Sequence, residues 1–159
     1  MKAYIGIGTN LGDKAENIRR AVAALGNLEG VADLKCSAVF KSTPWGFKSE
    51  NEFANVVVAL EFPKPFDPLW LLGRCQEIER SISPDSHRDD EGNYIDRIID
   101  IDIIAIGDRV LRLTRLSVPH PLMHQRPFVL KPMLEVAPDW QHPILKLSIP
   151  EMLNKLENI

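Results

Sequence analysis

The stretch Phe53-Ala54-Asn55-Val56-Val57-Val58-Ala59-Leu60-Glu61-Phe62 limits the possible folds more than any other. It is apolar at every position but Asn55 and Glu61, so it reads as a strand covered on both faces and therefore central in a sheet. A central strand needs partners. Residues 2–8 read as a first short strand, residues 31–42 as a second, and residues 98–106 as a fourth. After the first strand, Asn10 or Asp13 offers an N-cap for a helix that buries Ile18, Val22 and Leu25 and stops near Gly26. From Asp67 to about Ile82, Leu71, Cys75, Ile78 and Ile82 recur on one helical face, with Gln76 and Glu79 on a neighbouring polar stripe. A Pro-punctuated loop then holds His120 and Arg126, and helices are expected at 128–136 and 150–157. The order β-α-β-β-α-β predicts an α+β ferredoxin-like sandwich, an antiparallel sheet with helices and a C-terminal extension.

A chain of 159 residues suits one domain with one continuous core, spanning 1–159. Apolar residues at 45% and charged residues at 26% are ordinary for a globular protein and too apolar for a disordered one. A net charge of −3 gives no general attraction to nucleic acid or anionic membrane, so any bound anion needs a local basic cluster. No apolar run is long enough for a membrane helix or a signal peptide, which predicts a cytoplasmic protein with no membrane partner. A monomer is expected. Cys36 and Cys75 have no metal spacing and read as buried free thiols.

In Ile98-Ile99-Asp100-Ile101-Asp102-Ile103-Ile104-Ala105-Ile106, a period of two puts Asp100 and Asp102 on one face, roughly 6.5 to 7 Å apart along the chain. A bare Asp-x-Asp is more often the solvated side of an amphipathic strand. Here Ile98, Ile104 and Ile106 are expected on the same face, where two carboxylates resist desolvation unless a cation compensates them. Oxygen donors with few protein carboxylates suit Mg²⁺. Arg97 precedes this strand and Arg115, His120 and Arg126 follow it, either as scattered surface charges or as phosphate-binding donors. His120 and His124 have a helical zinc spacing, but Pro119 and Pro121 flank His120 and argue against a helix and against zinc. Asn55 inside an apolar strand needs hydrogen-bond partners, from the protein or from a ligand. Trp45, Phe53 and Phe128 are either core aromatics or walls of a slot for a flat heterocycle. Gly6-x-Gly8-x-x-x-Gly12 has its last glycine one residue too far for a dinucleotide fingerprint and reads as a tight structural turn. The polar segment 83–93 reads as a long exposed loop, a frequent place for function.

Gly8-Thr9-Asn10-Leu11-Gly12, Thr43-Pro44-Trp45-Gly46, Phe53-Ala54-Asn55, Asp96-Arg97-Ile98-Ile99-Asp100-Ile101-Asp102-Ile103, Val118-Pro119-His120-Pro121 and Arg126-x-Phe128-Val129-Leu130-x-Pro132 follow one another along nearly the whole chain. Together they resemble the hydroxymethyl-dihydropterin pyrophosphokinases of folate biosynthesis. That resemblance implies transfer of diphosphate from ATP to 6-hydroxymethyl-7,8-dihydropterin, with release of AMP. It implies two Mg²⁺ ions on Asp100 and Asp102, and Arg97, Arg115, His120 and Arg126 on the phosphates or nucleotide. Gln76, Glu79 and Ser117 would line the ATP site, while Thr43, Pro44, Trp45, Phe53, Asn55 and Phe128 would enclose the pterin. The chain departs from the family after the second helix. Ser83-Pro84-Asp85-Ser86-His87-Arg88 stands where members carry a Gly-Arg pair, and Tyr94 where tryptophan is common. Arg88, in an expected mobile loop at about 83–96, is the stand-in for the family's loop arginine. Two other classes compete, a non-catalytic nucleotide-binding module and an RNA-binding sheet domain; the acidic balance counts against the latter.

Overall fold

The strand Phe53–Glu61 is buried at every position but its last, as its uninterrupted apolar sequence requires. Around it the computed structural model describes residues 1–43, 52–83 and 98–157. In chain order the elements are β1 (Lys2–Thr9), α1 (Lys14–Gly26), β2 (Asp33–Cys36), β3 (Phe40–Ser42), β4 (Phe53–Glu61), α2 (Pro68–Ile82), β5 (Asp100–Ile106), β6 (Leu111–Arg112), β7 (Ser117–Val118), α3 (Pro127–Val136) and α4 (Ile149–Glu157). A 3-10 turn at Met123–Gln125 leads into α3.

The main sheet runs β2-β4-β1-β5, with β3 continuing the edge of β4 beyond β2, and every pairing is antiparallel. This is the ferredoxin-like α+β arrangement. Alternation along β4 builds two cores: Val56, Val58 and Leu60 pack with α1 and α2, and Val57 and Ala59 pack with α3 and α4. The helices present matching stripes. Ile18, Ala21 and Leu25 are buried on α1, whose N-cap is Asp13, and Leu71, Cys75, Ile78 and Ile82 are buried on α2, capped by Asp67.

The structure corrects the expectations in four places. The strand expected at 31–42 is two strands, because Ser37 interrupts it. The Ser37 hydroxyl accepts the Val57 N–H at 3.0 Å, and the next N–H, of Ala38, goes to Glu135 on α3 at 2.9 Å. The fourth strand begins at Asp100 and carries a β-bulge: Tyr4 pairs with Ala105 and Ile5 with Ile103, which leaves Ile104 as the extra residue. Beyond the bulge the facing is inverted, so Ile106 joins Ile101 and Ile103 in the α1–α2 core, and Ile98 packs there too. Of the three isoleucines expected beside the aspartates, Ile104 alone lines their cleft. Gly6 and Gly8 are strand residues rather than parts of a turn, and Gly12, at φ 72°, is the one in the left-handed region. Cys75 is buried as expected, but Cys36 is exposed on the outer strand β2.

Candidate active site

The register of the sheet lines up chemically different side chains across its middle. Asp100 on β5 faces Gly8 on β1, Gly8 faces Asn55 on β4, and Asn55 faces Phe40 on β3. In the next row, Asp102 faces Gly6 and Gly6 faces Val57. With strands about 4.8 Å apart, the aspartates and Asn55 stand two strand spacings from each other with only glycine between them. An open cleft lies over this floor. It is lined by Gly6, Gly8, Ser42, Thr43, Phe53, Asn55, Val57, Asp100, Asp102 and Ile104 from the sheet side, and by Arg126, Phe128 and Val129 from the start of α3.

The glycines leave the space. A Cβ on Gly8 would come within 3.2 Å of Asn55 Oδ1 and 3.5 Å of the Phe53 ring, and one on Gly6 within 3.2 Å of Ile104 Cδ1. Asn55 is 5% exposed, and its Nδ2 donates to the Phe40 carbonyl at 2.9 Å and to Ser42 Oγ at 2.8 Å. Both amide protons are thus committed to β3, and the amide oxygen is the atom directed over Gly8. The structural and ligand readings of Asn55 are compatible: nitrogen to the protein, oxygen to the cleft.

At the other side of the floor, Asp102 is held above the usual carboxylate range, first by burial, then by the charge of Asp100 and a hydrogen bond with it, then by Glu79, with Arg126 opposing. Two neighbouring carboxylates present an all-oxygen donor set whose mutual repulsion a cation relieves. Among the described residues no three acidic, histidine or cysteine side chains form a metal cage. A hard ion that keeps water and substrate oxygens in its shell fits this site better than zinc. His120 is pushed down to about 4 by burial and by Arg126, with Asp100 pulling the other way. It is therefore neutral near pH 7. Its Nδ1 accepts the Leu122 N–H at 3.1 Å, so Nε2 carries the proton and is a donor. The loop bearing it is pinned to the bulge, where the His120 N–H bonds the Ile104 carbonyl at 2.7 Å. The Arg126 guanidinium lies 5.7 Å above the Phe128 ring, a cation–π contact.

The expected residues therefore divide. Thr43, Phe53, Asn55, Asp100, Asp102, Arg126 and Phe128 line one cleft, and His120 is electrostatically coupled to its acidic end. Glu79 reaches the outer edge of β5, where Oε2 accepts the Ile101 N–H at 2.9 Å, and Gln76 lies one turn earlier on α2. Ser117 is half-buried on β7, and Arg115 is exposed in the β6–β7 connection, outside the cleft lining. Pro44, Trp45, Arg88, Arg97 and the expected loop at about 83–96, apart from its first residue Ser83, lie outside the described residues.

Residues 4–138 match the 7,8-dihydro-6-hydroxymethylpterin-pyrophosphokinase (HPPK) family. The chain belongs to that family. A 2-amino-4-hydroxy-6-hydroxymethyldihydropteridine pyrophosphokinase of Aquifex aeolicus is 33% identical over 148 residues, covering 93% of this chain and 88% of the relative. One from Methylorubrum extorquens is 36% identical over 138 residues, covering 87% and 84%. The folic acid synthesis protein fol1 of Schizosaccharomyces pombe is 34% identical over 97% of this chain, which spans 20% of that longer protein. Among solved structures, wild-type HPPK-DHPS of Plasmodium falciparum with pteroate superposes over 97% of this chain and 42% of its own, with a TM-score of 0.69 and 16% identity. At that identity the likeness shows the fold alone.

Gly6, Gly8 and Ser42 line the cleft but escaped the sequence reading as site residues. For the glycines a signal existed, since glycines two apart in a strand clear one face of it. Ser42 gave none, because a serine near a loop has no pattern until its partner Asn55 is placed beside it.

Proposed function

We propose that this cleft carries out the pyrophosphokinase reaction of its family on hydroxymethyldihydropterin in folate synthesis, with ATP as donor and Mg²⁺ on Asp100 and Asp102. One observation carries the reading: a carboxylate pair and an acceptor amide face each other across a glycine floor, in register on three neighbouring strands. The pterin lies flat over Gly8 between Phe53 and Phe128, with a ring N–H donated to Asn55 Oδ1. Thr43 closes the same end, and Pro44 and Trp45 are assigned to the pterin by the family resemblance alone.

ATP takes the other end. Gln76 and Glu79 on α2, and Ser117 on β7, flank β5 from outside and line the nucleotide, while Arg115 adds positive charge from the hairpin. Arg126 and the Nε2–H of neutral His120 hold phosphate oxygens beside the carboxylates. Mg²⁺, in two ions, supplies charge neutralisation to the phosphates when bound. Arg97 and Arg88 are assigned to the same phosphates. The hydroxymethyl oxygen then attacks the β-phosphorus in line, the new O–P bond forming as the bond to the α-phosphate oxygen breaks and AMP leaves. Positioning and charge neutralisation account for most of the catalysis.

Separate titrations of Asn55→Ala with 6-hydroxymethylpterin and with Mg²⁺ and α,β-methylene-ATP test the division of the cleft. Pterin binding should weaken by about 1 to 3 kcal/mol while nucleotide binding holds. Equal losses for both ligands would make Asn55 a purely structural residue.

A further inference from the structure

The β1–β5 ladder ends at the pair Gly8–Asp100. One residue further along β1, Thr9 is fully buried, and its hydroxyl donates to the carbonyl of Ile98, two residues before Asp100. Asn17, buried in the first turns of α1, points its Nδ2 at Leu11 O at 3.0 Å, at Thr9 Oγ1 at 3.2 Å and at Ile98 O at 3.4 Å. An amide nitrogen has two protons, so the two shorter contacts take them, and the Thr9 hydroxyl relays the chain to Ile98. The result is a buried relay, Asn17 N–H to Thr9 O–H to Ile98 C=O, polarised in one direction. It adds a side-chain rung where the backbone ladder has stopped.

Neither residue lines the cleft. Their effect on it passes through the backbone of residues 98–100. At this end of β5, the pairing with β1 holds the strand only from Asp100 onward. Without the relay, the Ile98–Ile99 peptide, one residue ahead of the peptide that leads into Asp100, loses the donor that sets its direction. That peptide fixes the course of the chain through Ile99 into Asp100, the first residue of β5.

We infer that Thr9 and Asn17 are positioning residues that aim Asp100, through the Ile98 carbonyl, at the cation it shares with Asp102. The inference rests on the reading of the carboxylate pair given above.

Mn²⁺ serves as the probe, counted by electron paramagnetic resonance in the presence of α,β-methylene-ATP, so that turnover plays no part. Thr9→Val keeps the shape and removes the hydroxyl, Thr9→Ser keeps the hydroxyl, and Asn17→Ala removes the amide at a helical position that favours alanine. Thr9→Val and Asn17→Ala should bind Mn²⁺ about tenfold more weakly, as when supporting partners of metal ligands are removed. Thr9→Ser should match the parent, and fluorescence titration with 6-hydroxymethylpterin should be unchanged in all three. Parent-like Mn²⁺ affinity in Thr9→Val and Asn17→Ala overturns the inference, as does failure of Thr9→Ser to restore it or a parallel loss of pterin binding. If Thr9→Val does not fold, Asn17→Ala decides by the same readings. A parent that binds the analogue equally well without Mn²⁺ overturns the carboxylate-pair reading and this inference with it.

Discussion

At Asp102, burial, Asp100 and Glu79 all favour the protonated acid, and Arg126 opposes them. The folded pKa lies above the unfolded one, so stability from this group is present at low pH and is lost as pH rises from the ordinary value of about 3.8 through the folded value. Asp102→Asn removes that loss. In chelator, it should melt higher than the parent at pH 7.5, with the gap closing towards pH 4; a lower melting point at pH 7.5 contradicts the electrostatic argument. Turnover should fall about 100-fold or more in both Asp100→Asn and Asp102→Asn, the scale of several kcal/mol of lost charge stabilisation. Activity within a few-fold of the parent in either variant rejects the metal assignment. At the other end of the floor, Ser42 holds the Asn55 amide in the orientation that shows oxygen to the cleft. Ser42→Ala should weaken pterin binding by about 1 kcal/mol and leave nucleotide binding unchanged, with Ser42→Thr restoring it. Nucleotide binding that falls in step would show that Ser42 supports the whole sheet edge instead.

The two-residue period made β5 and its aspartates legible in the sequence, and the apolar run made β4 legible as the central strand. The bulge at Ile104 was not legible, because Ile103-Ile104-Ala105-Ile106 is apolar on either phase and the extra residue shows only against the register of β1. The break at Ser37 was hidden for a similar reason: it depends on Val57 and Glu135, both distant in sequence. Gly6 and Gly8 were visible as glycines but not as a floor, since that role exists only once β1 is paired between β5 and β4. Gly8→Ala tests it. The added Cβ, within 3.2 Å of Asn55 Oδ1 and 3.5 Å of the Phe53 ring, should reduce pterin affinity about tenfold or more while nucleotide binding stays at the parental level. Unchanged pterin affinity would place the ring elsewhere in the cleft.

For the whole molecule, helices cover both faces of one sheet, and the cleft opens where α3 begins, over the end of the sheet that carries Asn55 and the aspartates. No described helix is long and apolar enough to cross a membrane. His120 gives the fold a pH dependence opposite in sign to that of Asp102. Its folded value of about 4 lies below the ordinary 6.5, so the unfolded chain takes up the proton first and stability falls as pH drops from 6.5 towards 4. His120→Asn can still accept the Leu122 N–H, and should equal the parent at pH 7.5 but exceed it near pH 4.5, by at most about 3 kcal/mol. A difference that does not vary with pH contradicts this. The central claim is that the carboxylate end and the amide end of one cleft act together on two substrates. Incubation with ATP, Mg²⁺ and 6-hydroxymethyl-7,8-dihydropterin, followed by separation of the nucleotide products, tests it most directly. AMP should form in step with the pterin diphosphate and only when all three are present; ADP as the product, or AMP released at the same rate without the pterin, would contradict it.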